Sequence, residues 1–197
     1  MNSSYQKDKQ LPALLIVDLI NSFTFKHGSV LAEKSIHMVP KINYIRDIFK
    51  NKKLPTIYVN DHYKIENPTQ KKLIKHCLNP LSNDLIKQIQ PNEEDYFIFK
   101  PNYSGFYLTD LDELLKKLKI THLVIVGVAG NRCVLFTAND AFMRDYNLII
   151  PQDAISSVTD YDEKVAIYMM KDILNATVIQ TQEIEEMIDH LVNKNYQ

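Results

Sequence analysis

The chain has 197 residues, of which 45% are hydrophobic and 24% charged. That is long enough for one domain with a substantial core, and it is not the composition of a disordered chain. The formal net charge of -1 excludes the strongly basic surface that holds nucleic acid, so no nucleic-acid partner is expected.

Residues 1–10 are polar and read as a flexible tail, followed by one domain over 11–197. ALLIVD (13–18) is a buried strand candidate, and Asp18 ends its apolar run too early for a membrane span or a signal-peptide core. No membrane partner and a cytoplasmic location are therefore expected. Residues 30–52 carry apolar side chains three and four apart, the spacing of an amphipathic helix. PTIYVN (55–60) is the second strand, and 61–91 is less regular, a loop with short helices that reaches over a site. DYFIFK (95–100) is the third strand, 109–119 a helix, HLVIVG (122–127) the fourth strand and 133–146 a helix. NLIIP (147–151) and ATVIQ (176–180) are strands, with helices at 161–174 and 181–194. Strand and helix in alternation mean a mostly parallel sheet of about six strands covered on both faces: a single-domain, three-layer α/β/α, Rossmann-like fold.

Open parallel sheets bind ligands outside the carboxyl ends of their strands. Asp18 ends the first strand, Lys100 the third, and Cys133 follows the fourth. Singly, these read as a turn cap, a solvated strand end and a small buried hydrophobe. Together they bring a carboxylate, an ammonium and a thiol from three parts of the chain to one sheet edge. A thiol attacks as thiolate. A helix start and a nearby lysine both favour that form, and a carboxylate can accept the thiol proton and later return it to a leaving amine. The arrangement suits acyl transfer without histidine. Cys77, the other of the two cysteines, has no such company and reads as inert; both are expected to be reduced.

The stretches that carry these residues are LLIVDLINSF, FKPNYSGFYLTDL, GVAGNRCVLFTANDAFMRDY and PQDAISS. In order and spacing they resemble the isochorismatase-like cysteine hydrolase superfamily, which includes nicotinamidases and N-carbamoylsarcosine amidohydrolase, from about Leu14 to Ile188. The resemblance implies that Asp18, Lys100 and Cys133 form a catalytic triad. It also implies a cis peptide at Val128-Ala129 that turns the Ala129 amide toward the site, beside that of Cys133, as an oxyanion hole. Gly130 departs from the pattern, since relatives usually carry threonine there.

Nicotinamidases bind a metal through an Asp-x-His pair and further histidines, whereas here Asp61 and His62 are adjacent and cannot both face one ion along an extended segment. No metal is expected, and His62 and His76 read as solvated or substrate-facing. No G-x-G-x-x-G follows any strand, so no dinucleotide cofactor is expected either. Isochorismatases proper cleave a vinyl ether and commonly lack the cysteine; Cys133 therefore favours an amide or ureido substrate. The alternatives are the vinyl-ether reaction and a binding or regulatory module that does not turn over. Asn21, Phe23, His62 and Ser104 are the further substrate-binding candidates, with Tyr103, Phe106 and Phe136 as walls for a small planar ligand. Asp140 and Arg144 read as an i, i+4 surface pair. Arg144, Tyr146 and the YMM run at 168–170 suggest an assembly surface, and at least a homodimer is expected.

Overall fold

A computed structural model describes residues 10–193, and nearly all of the expected N-terminal tail lies outside them. The elements run β1 (Pro12–Val17), α1 (Gly28–Asn51), β2 (Thr56–Asp61), α2 (Gln70–Cys77), α3 (Asn83–Ile89), β3 (Tyr96–Lys100) and α4 (Leu111–Lys117). They continue with β4 (His122–Val128), α5 (Leu135–Phe142), β5 (Asn147–Pro151), β6 (Ile155–Ser156), α6 (Asp160–Tyr168), β7 (Thr177–Ile179) and α7 (Ile184–Asn193). The sheet order is β3-β2-β1-β4-β5-β7, with β6 added at the end of β4, and all the pairings are parallel. This is an α/β fold of the expected class.

β1 and β4 lie at the centre, and β1 shows why their sequences are unbroken apolar runs. Leu14 and Ile16 face one hydrophobic cluster with α1, α3 and α7, while Ala13, Leu15 and Val17 face the other with α4, α5 and α6. A strand buried on both faces has no polar side to display. α1, by contrast, buries one stripe, with Leu31, Ser35, Met38, Val39, Ile42, Ile45 and Phe49 among it.

Four local departures from the sequence reading have physical causes. β6 has only two residues, too few to show a strand period. The helix expected from Cys133 begins as a wide, π-type turn over Gly130–Val134, so Cys133 sits in that turn. A second wide turn, Met169–Ile173, ends α6. Of the expected assembly surface, Tyr146 and Met170 are buried, because both pack into the core beneath α5 and α6; Tyr168 is exposed.

At the centre of the sheet Gly127 is paired with Val17. Its φ is 117°, and a Cβ there would come to 2.1 Å from the Val17 carbonyl oxygen. Only glycine fits both the angle and the space. Gly127→Ala is therefore expected to lower stability by more than about 2 kcal/mol. Urea denaturation of the two proteins measures this, and an unchanged midpoint would contradict it.

Candidate active site

β1 and β4 are neighbours in the sheet but far apart in sequence, and the chain continues to opposite sides from them. The crevice at their carboxyl ends is the place where such a sheet accepts a ligand. Asp18 leaves β1 in the left-handed region (φ 51°), which short polar residues tolerate. Its N–H donates to the Val59 carbonyl at 3.0 Å, its Oδ1 accepts the Asp61 N–H at 2.8 Å, and its Oδ2 lies 2.8 Å from Lys100 Nζ. Asp61 is the register partner of Lys100, so the end of β2 links the two charges. Lys100 is 1% exposed. From the edge strand β3 its side chain reaches inward, and Nζ also donates to the Asn102 carbonyl at 3.0 Å and to Cys133 Sγ at 3.4 Å. One ammonium thus touches both acids.

The turn that carries Cys133 follows a cis peptide between Val128 and Ala129. Val128 is buried in the core, while Ala129 and Cys133 line the crevice. The Arg132 and Val134 N–H groups both donate to the Ala129 carbonyl, which closes the turn around Cys133. At Gly130, an added Cβ would come to 2.9 Å from Ser157 Oγ. That hydroxyl accepts the Asn131 N–H at 3.1 Å, so it already occupies the space a larger residue at 130 would need. Ser156 and Ser157 are held in turn by one oxygen of Glu163, at 2.9 Å from Ser156 Oγ and 3.2 Å from the Ser157 N–H.

The charges settle differently from the sequence-based expectation of a thiolate. Burial by itself pulls the Lys100 pKa down, but the Asp18 carboxylate and Cys133 more than offset this, and the net shift is upward. Cys133 is also shifted up, first by burial, then by the charge of Asp18; the opposing pull of Lys100 is smaller. The resting thiol is therefore protonated at neutral pH. The cause lies in the contacts: the carboxylate sits closer than the thiol to the one shared ammonium, and its charge opposes a second anion on sulfur. Cys77 is pushed up to about 12, chiefly by burial, and its Sγ contacts the Ile20 carbonyl at 3.6 Å.

The crevice is a cavity of about 630 Å³, and Asp18 and Cys133 lie in its lining. Of the substrate-binding candidates, Asn21 and Tyr103 line it. The others lie elsewhere. Phe23 has φ 54°, and its N–H is held at 2.8 Å by the Asn21 side chain; this turn puts the ring into the core on the α1 side. Ser104 is buried, its hydroxyl 2.5 Å from an Asp140 carboxylate oxygen and accepting the Phe106 N–H. Phe106 is buried against Tyr146, with the Arg144 guanidinium 4.9 Å from its ring. Asp140 and Arg144 form an ion pair at 3.7 Å, so the expected surface pair also braces these buried neighbours. Phe136 is half-exposed and packs on Tyr103, 5.6 Å between ring centres, supporting that wall from outside. His62 Nδ1 accepts the Lys64 N–H, and His76 lies against the Tyr63 ring; neither lines the cavity.

The sequence reading missed Phe25, Lys26, His27, Tyr63 and Arg132, all of which line the cavity. Arg132 adjoins Cys133 and could have been found from that. The loop from Phe25 to His27 follows a strand end, and that was the available signal. Among the described residues no group of three or more His, Cys, Asp or Glu could hold a metal ion, and no helix is long and apolar enough to cross a membrane.

Residues 12–183 match the family described as Isochorismatase domain. The uncharacterized isochorismatase family protein YaaI of Bacillus subtilis (strain 168) is 44% identical over 174 residues, covering 88% of this chain and 96% of that protein. Ureidoacrylate amidohydrolase RutB of Pantoea ananatis is 41% identical over 86 residues, which are 43% of this chain and only 34% of that protein. Among solved structures, N-carbamoylsarcosine amidase from Thermoplasma acidophilum superposes with a TM-score of 0.69 at 29% identity, over 89% of this chain and 99% of that one.

The protonated resting thiol yields a prediction with a sign for each partner. Removing the carboxylate in Asp18→Asn takes away a cause that raises the Cys133 pKa and leaves Lys100 free to pair with the thiolate, so alkylation by iodoacetamide at neutral pH should become faster. Lys100→Met removes the charge that opposes this rise, so alkylation should slow. The pH profiles of the three proteins, with the adduct located by mass spectrometry, decide it; a slower Asp18→Asn would overturn the assignment of charges.

Proposed function

The chain belongs to the isochorismatase family of hydrolases, and from that premise we propose that it cleaves the C–N bond of a small amide or ureide through a thioester on Cys133. The observation that carries the reading is the single Lys100 ammonium, 2.8 Å from Asp18 and 3.4 Å from Cys133, beside a small-molecule cavity. The names of an amidase and an amidohydrolase among the relatives support the choice of bond.

In this reading the substrate carbonyl lies against Sγ. As sulfur attacks the carbonyl carbon, the thiol proton passes to Asp18, which shares the Lys100 ammonium with that thiol. The charge that develops on the carbonyl oxygen is taken by the Ala129 and Cys133 N–H groups. Asp18 then returns the proton to nitrogen, the C–N bond breaks, and the amine leaves a thioester behind. A water gives its proton to Asp18 and its oxygen to the acyl carbon; the C–S bond breaks, and the proton returns to sulfur. Lys100 holds Asp18 in an ion pair between these transfers and stabilises the sulfur as it gains charge. A thiol that rests protonated fits this scheme, since the base it must reach is already beside it.

We propose further that the protein assembles at least as a dimer. Tyr161, Val165 and Tyr168 recur on one face of α6 and are exposed, as is Met143 at the end of α5. Sedimentation at micromolar concentration should give at least twice the chain mass of 22.9 kDa, and a monomer would refute it.

Cys133→Ala and Cys133→Ser should both lose hydrolysis by at least about a thousandfold while keeping the native circular dichroism spectrum. Ammonia release from a panel of amides and ureides, with isochorismate alongside, tests the reading. Mass spectrometry of the quenched reaction should show an acyl adduct on Cys133 in the native protein and almost none in Asp18→Asn. Turnover that survives in Cys133→Ala would point instead to direct cleavage without a thioester.

A further inference from the structure

We propose that Glu163 is a positioning residue for acyl transfer at Cys133, acting through Ser157 on the wide turn that presents the sulfur and the amides beside it. The inference rests on the reading in which Cys133 attacks a carbonyl whose oxygen turns to the Ala129 and Cys133 N–H groups.

The turn Gly130–Val134 has its backbone donors divided between two holders. The Arg132 and Val134 N–H groups go to the Ala129 carbonyl, next to the turn itself. The Asn131 N–H goes to Ser157 Oγ at 3.1 Å, and this bond ties the turn to the chain that follows β6. Ser157 is fully buried, so bulk water cannot replace it as acceptor. Gly130 makes the approach possible, since a Cβ there would stand 2.9 Å from the same hydroxyl oxygen.

Ser157 is held in its turn by Glu163, one of whose carboxylate oxygens accepts the Ser157 N–H at 3.2 Å and the Ser156 hydroxyl at 2.9 Å. The first turn of α6 places that carboxylate. The Glu163 N–H donates to the Thr159 carbonyl at 3.1 Å, and the Thr159 hydroxyl caps the helix by accepting the Asp162 N–H at 3.1 Å. A negative side chain also suits this end of the helix dipole. Contacts therefore run from α6 through Glu163 and Ser157 to Asn131, two residues before the sulfur.

Neither Glu163 nor Ser157 lines the cavity, but Asn131, Val158, Thr159 and Asp162 do. A side chain that meets no ligand thus fastens the cavity wall and the nucleophile turn to each other. An oxyanion donor acts only where its N–H meets the developing charge, so a small shift of the turn weakens it. Asp18 and Lys100 reach the sulfur by a separate route, from the ends of β1 and β3. Loss of Glu163 should therefore harm acyl transfer more than the thiol itself.

Two probes separate these effects without knowledge of the substrate. With p-nitrophenyl acetate, Sγ bonds to the acetyl carbon through a tetrahedral oxyanion, and the C–O bond breaks to release p-nitrophenolate. With iodoacetamide, Sγ displaces iodide and no oxyanion forms. Both consume the same thiol, so the ratio of their rates cancels the fraction ionised and reads the amide donors. Rates are taken above those of Cys133→Ala, with the adducts located by mass spectrometry. Ser157→Ala and Glu163→Ala should each lower the native ratio about tenfold while keeping the native circular dichroism spectrum. Glu163→Gln, whose amide oxygen can accept the same two bonds, should recover most of it. A general loosening would slow both reactions and leave the ratio where it was. A ratio unchanged in Glu163→Ala, or a loss that Glu163→Gln does not recover, overturns the proposal; ammonia release from an amide or ureide beside that result leaves the hydrolase reading standing. A native ratio no higher than that of glutathione removes the amides from the mechanism, and the proposal with them. A ratio that responds as expected, with no ammonia released from any amide or ureide, keeps the positioning role and removes the hydrolase reading.

Discussion

The buried pair between Asp18 and Lys100 is the interaction on which the site depends. Both side chains are almost fully withdrawn from water, and desolvating two charges costs several kcal/mol before their attraction is counted. Such a pair is weak support for stability. Its value lies in what else each partner touches: a backbone N–H from β2 on the carboxylate, a backbone carbonyl and a thiol on the ammonium. Every strand that meets at the crevice contributes one contact, so the pair can keep this geometry only if β1, β2, β3 and β4 hold their register.

That register is set by apolar packing and a close backbone approach. β1 touches both hydrophobic layers, and the close approach of β4 at Gly127 leaves no room for a side chain against Val17. The turn with Cys133 begins three residues later and is fastened from the other side by Ser157 and Glu163. The position of the sulfur relative to the carboxylate is therefore fixed by sheet packing on one side and by α6 on the other. A loop by itself could not hold 3.4 Å between an ammonium and a sulfur.

The same logic explains what could be read from the residues. The six longer strands lie within about a residue of their sequence assignments, because strands buried on both faces are continuous apolar runs bounded by polar ones. β6 has no such run. Asp18, Lys100 and Cys133 could be singled out because all stand at or just after strand ends, where the fold class itself puts ligands. The direction of Phe23 could not, since it depends on a left-handed turn set by the Asn21 side chain. Phe106 and Ser104 were misplaced for a related reason: a loop after a strand end can pack inward, and only its hydrogen bonds say which residues do. Lys26 and Arg132 could be reached only by position, one after a strand end and the other beside Cys133, because a single exposed cation has no pattern of its own.

The protonation of Cys133 lies beyond any motif, since it depends on which acid takes a shared ammonium. Proximity to lysine suggested a thiolate, but a carboxylate at the same distance or closer claims that charge first. This changes how the site would be armed. A resting thiolate is open to oxidants and stray electrophiles, whereas a thiol beside its base stays quiet until a carbonyl carbon arrives to receive the electrons as the proton leaves. A histidine base in the same place would become a cation on accepting the proton and would stabilise the ion pair, leaving the sulfur charged at rest. A carboxylate becomes neutral and cannot. In the proposed mechanism the pairing of Asp18 with Lys100 would let the cysteine remain a thiol and transfer its proton at the moment of attack.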